Sequence, residues 1–417
     1  MTGLGKVSLP LRRRALLGAM GAAGASLLAT PAVRAQGRSS GVALVIGNSK
    51  YQWEAQLPNV KRDVPDIAKC FEACGLKTVL LQDVRLDAMR RAVEQFALAA
   101  KDQPLAMFYF AGHGVFQKNS TSLVPVDGDL STPDNLKTMT QTFHFRKAMD
   151  FANHRVLILD NCRNNPSDGW RQREAVDAAM GVSAQAIGPK QPVNTKLIFS
   201  TAPGRAALDG PAGENSPFAA ALLRQFAGGS IDMQAMPANL RRDLMIATEG
   251  RQVMLDMGEL ETPLVISGKA AAAPRNPGSP ANVLELTNAY ALARQEGLPM
   301  LPGLVAYRTP GHPAGGRVGG YSVSVGGNKA VLAVLSVDDQ QGAEAILVSK
   351  PKSRGVWRLI HGRLSGDTLE FNSFDGGPRW VFKWNTANGG STTGYPPQNQ
   401  GGNSGQILNG TFTRIDG

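Results

Sequence analysis

The sequence predicts an α/β fold followed by a smaller β-rich region. Three observations lead to this prediction: unbroken apolar runs before residue 267, helical periodicity between those runs, and alternating aromatic-rich segments from about residue 318. Unbroken apolar runs are typical of strands covered by helices on both faces, as in a mostly parallel sheet. We therefore expect a mostly parallel six-stranded sheet with helices on both faces, and then a small β-sandwich or barrel domain.

The elements of the first region follow from these patterns in chain order. Predicted strands cover residues 42–46, 78–81, 105–110, 156–159, 197–199 and 263–266. Predicted helices cover residues 64–74, 89–100, 217–226 and 237–249. In the first helix Val64, Ile67 and Phe71 recur at helical spacing. The third helix has the cap residue Ser216 followed by Pro217 at its first position.

A composition change at residues 268–281, which are rich in Ala, Gly and Pro, predicts a linker. We place one domain at 41–267 and a second at 282–417, with a helix over 283–294. Predicted strands of the second domain cover residues 321–325, 330–337, 356–360, 368–371, 380–384 and 410–415. Residues 387–405 are polar and glycine-rich, and we expect an exposed mobile loop there.

The first 35 residues have the pattern of a signal peptide. They combine five basic residues, no acidic residue, a short apolar stretch and a small-residue site that ends at Ala35. Arg13 and Arg14 are typical of twin-arginine export, and the alternative is a signal anchor. We expect a periplasmic or secreted protein whose mature chain has no transmembrane segment.

Charge and composition exclude several classes of protein. The formal net charge of +11 falls to +6 without the five basic residues of the signal peptide. No basic run with interleaved aromatic residues remains, so we expect no nucleic-acid partner. Hydrophobic residues make up 42% of the chain, which excludes a wholly disordered protein. Three cysteines are too few for a disulfide scaffold.

Two of the predicted strands run into residues that can react. The strand 105–110 is followed by His113, and the strand 156–159 is followed by Cys162. Functional groups of a parallel sheet collect beyond the carboxyl ends of its strands. A histidine near a thiol stabilises the nucleophilic thiolate, so the pair predicts a catalytic dyad, although each residue alone is more often structural.

Three short blocks resemble the caspase-like cysteine peptidases, namely residues 111–114, 159–163 and 200–204. His113 precedes Cys162 by 49 residues, which is similar to the spacing in caspases. The resemblance covers residues 41–267 and implies a caspase-like three-layer sandwich. It is greatest to the bacterial metacaspase-like proteins, because Asp160 stands two residues before the cysteine.

The resemblance implies a cysteine endopeptidase that acts on a peptide or protein substrate. Cys162 would be the nucleophile and His113 the general acid and base. The backbone amides of Gly114 and Cys162 would form the oxyanion hole. Ala111 stands where metacaspases commonly have serine, which bears on the tightness of substrate binding and not on the dyad.

The resemblance also implies three substrate-binding acids. Asp160 stands where caspases have glutamine, Asp63 resembles a pocket acid of metacaspases, and Asp209 takes the place of a caspase arginine. Three acids in the pocket predict cleavage after Arg or Lys. The alternatives are helix capping for Asp63 and a structural acid for Asp160. Arg62 and Arg205 are the counterargument, because either could bind an acidic side chain.

Other reactive side chains receive structural interpretations. Cys70 and Cys74 are four residues apart on the predicted first helix, and we assign them to packing, with an oxidised pair as the alternative. No metal site or cofactor is expected. Asp168, Glu174 and Asp177 leave calcium as a weak alternative.

The connection after Cys162, residues 163–194, is long for a compact domain. It contains Arg171, Arg173 and Lys190, so a peptidase that prefers basic residues could cleave its own chain there. We expect such self-processing.

Two functions compete with that of a peptidase. The first is a catalytically silent caspase-like binding module. The second is a C-terminal domain that binds an envelope polymer or a protein through Trp357, Trp380 and Trp384. These tryptophans lie in strand-like runs, which favours packing inside the domain.

Overall fold

The structure is a computed structural model that describes residues 41–117, 120–131, 135, 139–161, 192–202, 205, 207–227, 229–267, 281–350, 356–372, 379–396 and 407–416. The elements up to residue 267 are β1 (Gly41–Gly47), α1 (Val60–Ala73), β2 (Leu76–Gln82), α2 (Leu86–Ala100), β3 (Leu105–Ala111), β4 (Gly114–Gln117), β5 (Ser120–Leu123), β6 (Thr140–Gln141), α3 (Thr142–Ala148), β7 (His154–Asp160), β8 (Thr195–Phe199), α4 (Pro217–Phe226), β9 (Ser230–Asp232), α5 (Met236–Ala247), β10 (Leu255–Met257) and β11 (Val265–Ser267). The predicted signal peptide, residues 162–191 and residues 268–280 of the predicted linker lie outside the described residues.

The predicted six-stranded sheet is confirmed, with the strand order β10-β8-β7-β3-β1-β2. β2, β1, β3, β7 and β8 run parallel, and β10 pairs antiparallel with β8 at one edge. Every residue of β1 and β3 is buried, as their unbroken apolar runs require. The sheet is therefore covered on both faces.

The prediction of the sixth strand at residues 263–266 is wrong. The sixth strand is β10, and β11 pairs with β9 in a separate two-stranded sheet. β10 is three residues long and has Asp256 at its centre, where Lys196 and Arg241 form ion pairs with it. An ion-paired strand of this length carries no apolar run that sequence reasoning could detect.

Helices form a layer on each face of the sheet. Phe71 of α1 and Leu222 of α4 belong to the core on one face, which they share with Val45 of β1. Met89 of α2 belongs to the core on the other face, with Leu44 of β1. Adjacent residues of a strand point to opposite faces, so the two cores lie on opposite sides of the sheet. This arrangement is the predicted three-layer sandwich. No helix among the described residues has both the length and the apolarity of a membrane span.

The region after residue 280 contains a closed eight-stranded barrel formed by β14 to β21. Its elements are β12 (Val283–Glu285), α6 (Thr287–Gln295), β13 (Val305–Tyr307), a 3₁₀ turn (Gly315–Arg317), β14 (Gly319–Val325), β15 (Asn328–Val337), β16 (Gly342–Ser349), β17 (Val356–Ser365), β18 (Thr368–Asn372), β19 (Arg379–Thr386), β20 (Gly389–Tyr395) and β21 (Leu408–Asp416). Tyr321, Phe382, Trp384 and Phe412 are buried and contact one another in the barrel core. Of the two predicted architectures, the barrel is confirmed.

Two local predictions for this region are wrong. Residues 389–395 form strand β20 between β19 and β21, whereas we expected a mobile loop over 387–405. β20 is rich in Gly, Ser and Thr and has no apolar alternation, so its pairing comes from its neighbours. The helix predicted over 283–294 begins at Thr287, because Val283–Glu285 pairs with β13.

The barrel packs directly against the sandwich. The core on the α2 face continues through Phe199 and Met245 into the barrel residues Leu332 and Phe382. Arg241 of α5 is fully buried and donates a hydrogen bond to the carbonyl oxygen of Pro302. Residues 38–417 form one compact unit.

Candidate active site

The ends of β3 and β7 lie side by side at one edge of the sheet. Ala111 pairs with Asp160, and the amide of Gly112 donates to the Asp160 carbonyl oxygen at 3.2 Å. His113 is two residues beyond Ala111 in the sequence, and Cys162 is two residues beyond Asp160. Cys162 itself lies outside the described residues.

The glycine after His113 allows a close approach between the two strand ends. A Cβ on Gly114 would lie 2.0 Å from the Asn161 amide nitrogen Nδ2, which is far inside van der Waals contact. Asn161 immediately precedes Cys162 in the sequence. The backbone of the turn after β3 is therefore packed against the residue next to the predicted nucleophile.

His113 is oriented by the segment between β1 and α1. Its Nε2 lies 2.7 Å from the carbonyl oxygen of Ala55. A carbonyl oxygen only accepts hydrogen bonds, so Nε2 carries the hydrogen and Nδ1 of the neutral ring is left with a lone pair. The His113 imidazole is half-buried, and the lone pair on Nδ1 can take a proton from a thiol.

Tyr51 contacts His113 through a hydrogen bond and through its ring. Its hydroxyl oxygen accepts a hydrogen bond from the His113 amide at 2.7 Å and donates one to the Val124 carbonyl at 3.2 Å. The two rings also contact each other, with centroids 4.5 Å apart. Sequence reasoning missed Tyr51 and Ala55, because a backbone carbonyl and a lone tyrosine carry no recognisable motif.

The structure brings Asp63 and Asp160 together beside α4. The amide of Ser216 donates to Oδ1 of Asp63 at 3.0 Å, and its hydroxyl donates to Oδ2 of Asp160 at 3.0 Å. Tyr109 donates to the same Asp160 oxygen at 3.3 Å, and Asn215 donates to Asp63 at 3.0 Å. Ser216 is also the predicted cap of α4, because its hydroxyl accepts from the Ala219 amide.

Both carboxyl groups have unusual proton affinities. Burial raises the pKa of Asp160 to about 7, with a further contribution from the charge of Asp63 and opposing hydrogen bonds from Ser216 and Tyr109. Burial raises the pKa of Asp63 to about 6, against hydrogen bonds from Asn215 and Ser216. Among the described residues, no basic side chain lies within salt-bridge distance of either carboxylate.

Asp209, the third predicted acid, lies within electrostatic range of both His113 and Asp63. Burial raises its pKa, whereas a backbone hydrogen bond from Asn59 and the charge of His113 lower it. The Asn59 side chain donates to the carbonyl oxygens of Asp209 and Pro211 at 2.7 and 2.9 Å and accepts from the Gly213 amide at 3.1 Å. Asn59 thus holds the segment that carries Asp209, a role that sequence reasoning missed.

The two arginines that could oppose a cationic substrate are directed elsewhere or exposed. Arg62 is exposed to solvent on α1. Nη2 of Arg205 lies 2.8 Å from Oε2 of Glu344 on the barrel. The carboxylate of Glu344 therefore already neutralises the Arg205 guanidinium.

The remaining candidates lie away from this cluster. Cys70 and Cys74 are free thiols on one face of α1. Their mutual hydrogen bond raises the pKa of Cys70 and lowers that of Cys74. The described residues contain no group of three or more His, Cys, Asp or Glu side chains that could hold a metal ion. The acids named for calcium, Asp168, Glu174 and Asp177, lie outside the described residues.

The tryptophans proposed as a polymer-binding surface differ in their positions. Trp384 is buried in the barrel core, as its strand-like context predicted. Trp380 is partly buried against the same core. The side chain of Trp357 lies outside the described residues.

Comparisons with known proteins agree with this fold. A family model of the caspase domain matches residues 40–259. The human mucosa-associated lymphoid tissue lymphoma translocation protein 1 is 34% identical over 124 residues, which are 29% of this chain and 15% of the human protein. Its mouse homologue is 29% identical over 124 residues, with the same shares. The match thus spans about a seventh of these relatives.

The crystal structure of caspase-1 from Spodoptera frugiperda is similar at 15% identity and a TM-score of 0.39, covering 55% of this chain and 92% of the insect chain. In this chain a mostly parallel sheet lies between two helical layers, and the turn after His113 packs against Asn161, the residue before Cys162. The caspase-domain model covers more than half of the sequence, so this chain belongs to the caspase-domain family of peptidases.

Proposed function

We propose that this protein is an exported cysteine endopeptidase that uses His113 and Cys162 as its dyad and cleaves after Arg or Lys. One observation supports the specificity above all others. The buried carboxyl groups of Asp63 and Asp160 share Ser216 as a hydrogen-bond donor, and both have raised pKa values. A guanidinium or ammonium group of a substrate would favour the charged form of both carboxylates at neutral pH.

The proposed chemistry begins with proton transfer from the Cys162 thiol to Nδ1 of His113. The thiolate then attacks the scissile carbonyl carbon, and the amides of Gly114 and Cys162 stabilise the negative charge on the carbonyl oxygen. His113 returns the proton to the departing amine, which leaves a thioester on Cys162. Water deprotonated by His113 then hydrolyses the thioester and restores the free thiol.

The contacts of His113 support this role. The Ala55 carbonyl holds Nε2, and the Tyr51 hydroxyl holds the backbone amide of His113. Two fixed contacts on one residue restrict the rotation of the ring, so Nδ1 keeps one direction without a third catalytic side chain. If the protein were a catalytically silent module, these two contacts would orient a histidine that has no catalytic role.

Active-site titration tests the dyad. A peptidyl electrophile with Arg at its reactive end should label the wild-type protein at one equivalent, and label neither Cys162→Ala nor His113→Ala. Cys70→Ala is the matched control, because it removes a thiol that is remote from the strand ends. Labelling of Cys162→Ala at the wild-type level would overturn the dyad, and absence of labelling in the wild-type protein would favour a silent module.

Peptides that differ only in the residue before the scissile bond test the specificity. Cleavage after Arg and Lys should exceed cleavage after Asp by about ten- to a thousand-fold, because an acidic side chain would add a like charge to a buried carboxylate pair. Efficient cleavage after Asp would reject the pocket and leave the dyad standing. The same incubations test self-processing, since fragments from cleavage between residues 163 and 194 should form in wild type and not in Cys162→Ala.

Export is proposed from residues 1–35, and the mature protein is expected to act in the periplasm or outside the cell. Intact-mass analysis of native protein from those fractions should give a chain that begins near Gln36. A full-length chain confined to the cytosol would reject this part of the proposal. The absence of a cofactor and the metacaspase-like subgroup also stay predictions, and activity that survives a calcium chelator would support the former.

The alternative of an envelope ligand for the barrel is less well supported. It depends on exposed aromatic side chains, and Trp384 is buried within the barrel. The barrel contacts the peptidase part instead, through Glu344 and the apolar core that the two share.

A further inference from the structure

The segment after β8 borders the proposed pocket at both of its ends. At its start the Ser200 amide donates to the carbonyl oxygen of Leu159, the residue before Asp160, at 2.9 Å. At its end Asp209 accepts the hydrogen bond from Asn59 and lies within the electrostatic influence of His113. Arg205 lies between these two ends in the sequence.

Gln252 of the sandwich forms two hydrogen bonds with this segment. Its Nε2 donates to the Ser200 carbonyl oxygen at 2.9 Å, and its Oε1 accepts from the Leu208 amide at 3.0 Å. Gln252 thus links Ser200 to Leu208, and Arg205 lies between these two residues in the sequence. The direction of the Arg205 side chain decides where its charge lies.

The barrel determines that direction. Oε2 of Glu344 in β16 lies 2.8 Å from Nη2 of Arg205, and Oε1 of Glu344 lies 2.8 Å from Nδ1 of His361 in β17. The side chains of Arg205 and Glu344 are 25% and 18% exposed. Both oxygens of the Glu344 carboxylate are therefore engaged, one of them by the peptidase part and one by the barrel.

We propose that Glu344 is a specificity-determining residue of the peptidase, which holds Arg205 on the barrel and away from the substrate's side chain. This inference rests on the proposed preference for Arg or Lys. A released guanidinium on the pocket-bordering segment would repel a cationic side chain and attract an acidic one. The barrel thus contributes to specificity without touching the substrate.

The magnitude of the effect follows from Coulomb's law. A unit charge about 7 Å from another, in a medium between bulk water and a protein surface, changes a binding constant by about three- to thirty-fold. A partly exposed ion pair adds little to folding stability, so selectivity is a more sensitive readout than melting temperature.

The test compares wild type, Glu344→Gln, Arg205→Ala and the double variant on three peptides with Arg, citrulline or Asp before the scissile bond. Citrulline has the shape of arginine without its charge. In Glu344→Gln the Arg-to-citrulline ratio of kcat/KM should fall about three- to thirty-fold, and the Asp-to-citrulline ratio should rise. Arg205→Ala and the double variant should keep the wild-type ratios, since no cation remains to be released.

Glu370→Gln is the matched control. It removes one negative charge from the barrel, where Glu370 pairs with Arg379 at 3.0 Å, and it should leave all ratios unchanged. An equal loss of kcat/KM on all three peptides in Glu344→Gln would mean a purely structural role and overturn the inference. So would unchanged ratios in Glu344→Gln. The proposed function fails separately, if wild type itself shows no preference for Arg over citrulline.

Discussion

Two buried acidic sites in this protein have opposite electrostatics. Asp256 on β10 forms ion pairs with Arg241 and Lys196, and these two cations lower its pKa despite its burial. Asp63 and Asp160 are buried, with neutral hydrogen-bond donors and each other as neighbours, and their pKa values are raised. Two cations neutralise the first carboxylate, whereas the part of the chain that the structure describes places no cation in an ion pair with Asp63 or Asp160.

This contrast gives different expectations for the two sites. A buried carboxylate with a buried cation stabilises the native state, because removal of either partner leaves an unpaired charge. A buried pair of carboxylates without a cation costs stability at neutral pH, a cost that functional sites commonly carry. Substitutions at the two sites should therefore differ in sign for stability and in their effect on specificity.

Asp256→Asn should cause the largest loss of stability. It leaves the fully buried Arg241 guanidinium without its carboxylate, which costs about 3–5 kcal/mol in the free energy of unfolding. Because the ion pairs lower the pKa of Asp256, their contribution is present at neutral pH and is lost only as the pH falls below the usual carboxyl range. Denaturant unfolding at pH 7 measures the loss, and the Arg-to-citrulline ratio of the folded fraction should stay at the wild-type value.

Asp160→Asn should reduce specificity strongly and should not reduce stability, in contrast to Asp256→Asn. Cleavage after Arg should fall about a hundred- to a thousand-fold, while cleavage after citrulline changes little. The raised pKa of Asp160 means that folding favours its protonated form, so its destabilising effect grows as the pH rises from the usual carboxyl pKa of 3.8 to about 7 and is constant above that. Unfolding at pH 8 should therefore show a more stable variant, and unfolding at pH 4 should show equal stability. A variant less stable than wild type at pH 8 would make Asp160 a structural acid.

The pH dependence of specificity should show a smaller effect. Asp63 and Asp160 must be charged to bind a cation, and their pKa values are about 6 and about 7. Protonation of Asp160 alone should thus lower the Arg-to-citrulline ratio about thirty-fold as the pH falls from 8 to 5.5, and protonation of Asp63 adds to the decrease. Taking the ratio cancels any effect of pH on the catalytic step that both peptides share. A flat ratio over this range would mean that the pair does not meet the substrate's charge.

Tyr51→Phe should have the smallest effect of the four. It removes the hydroxyl that accepts from the His113 amide, and leaves the ring contact in place. Loss of one such hydrogen bond corresponds to about 1 kcal/mol, or a few-fold decrease in kcat. The Arg-to-citrulline ratio should not change, since Tyr51 lies on the His113 side of the site. A change in the ratio with constant kcat would place Tyr51 in the pocket instead.

The fold of the sandwich was predictable because strands that are buried on both faces have unbroken apolar runs in the sequence. The apolar runs that become β1, β3 and β7 have no alternation, and helical spacing placed α1 and α2 between strands. The sequences of β10 and β20 contain no such apolar run. Asp256 interrupts the first, and the second is a Gly, Ser and Thr strand whose pairing its neighbours supply.

The residue types of the candidate site were also evident from the sequence, since His113, Cys162 and the three acids stand next to strand ends or motif blocks. The hydrogen-bond and ion-pair partners of these residues were not evident from the sequence. The Ala55 carbonyl reaches His113 across 58 positions, Asn59 reaches Asp209 across 150, and Arg205 reaches Glu344 across 139. The sequence by itself determined which chemistry is available and on which elements it lies. Only the tertiary structure decided that Asp63 and Asp160 both accept hydrogen bonds from Ser216 and that Arg205 pairs with Glu344 of the barrel. The reason is that hydrogen bonds and charges act through space and leave no periodicity along the chain.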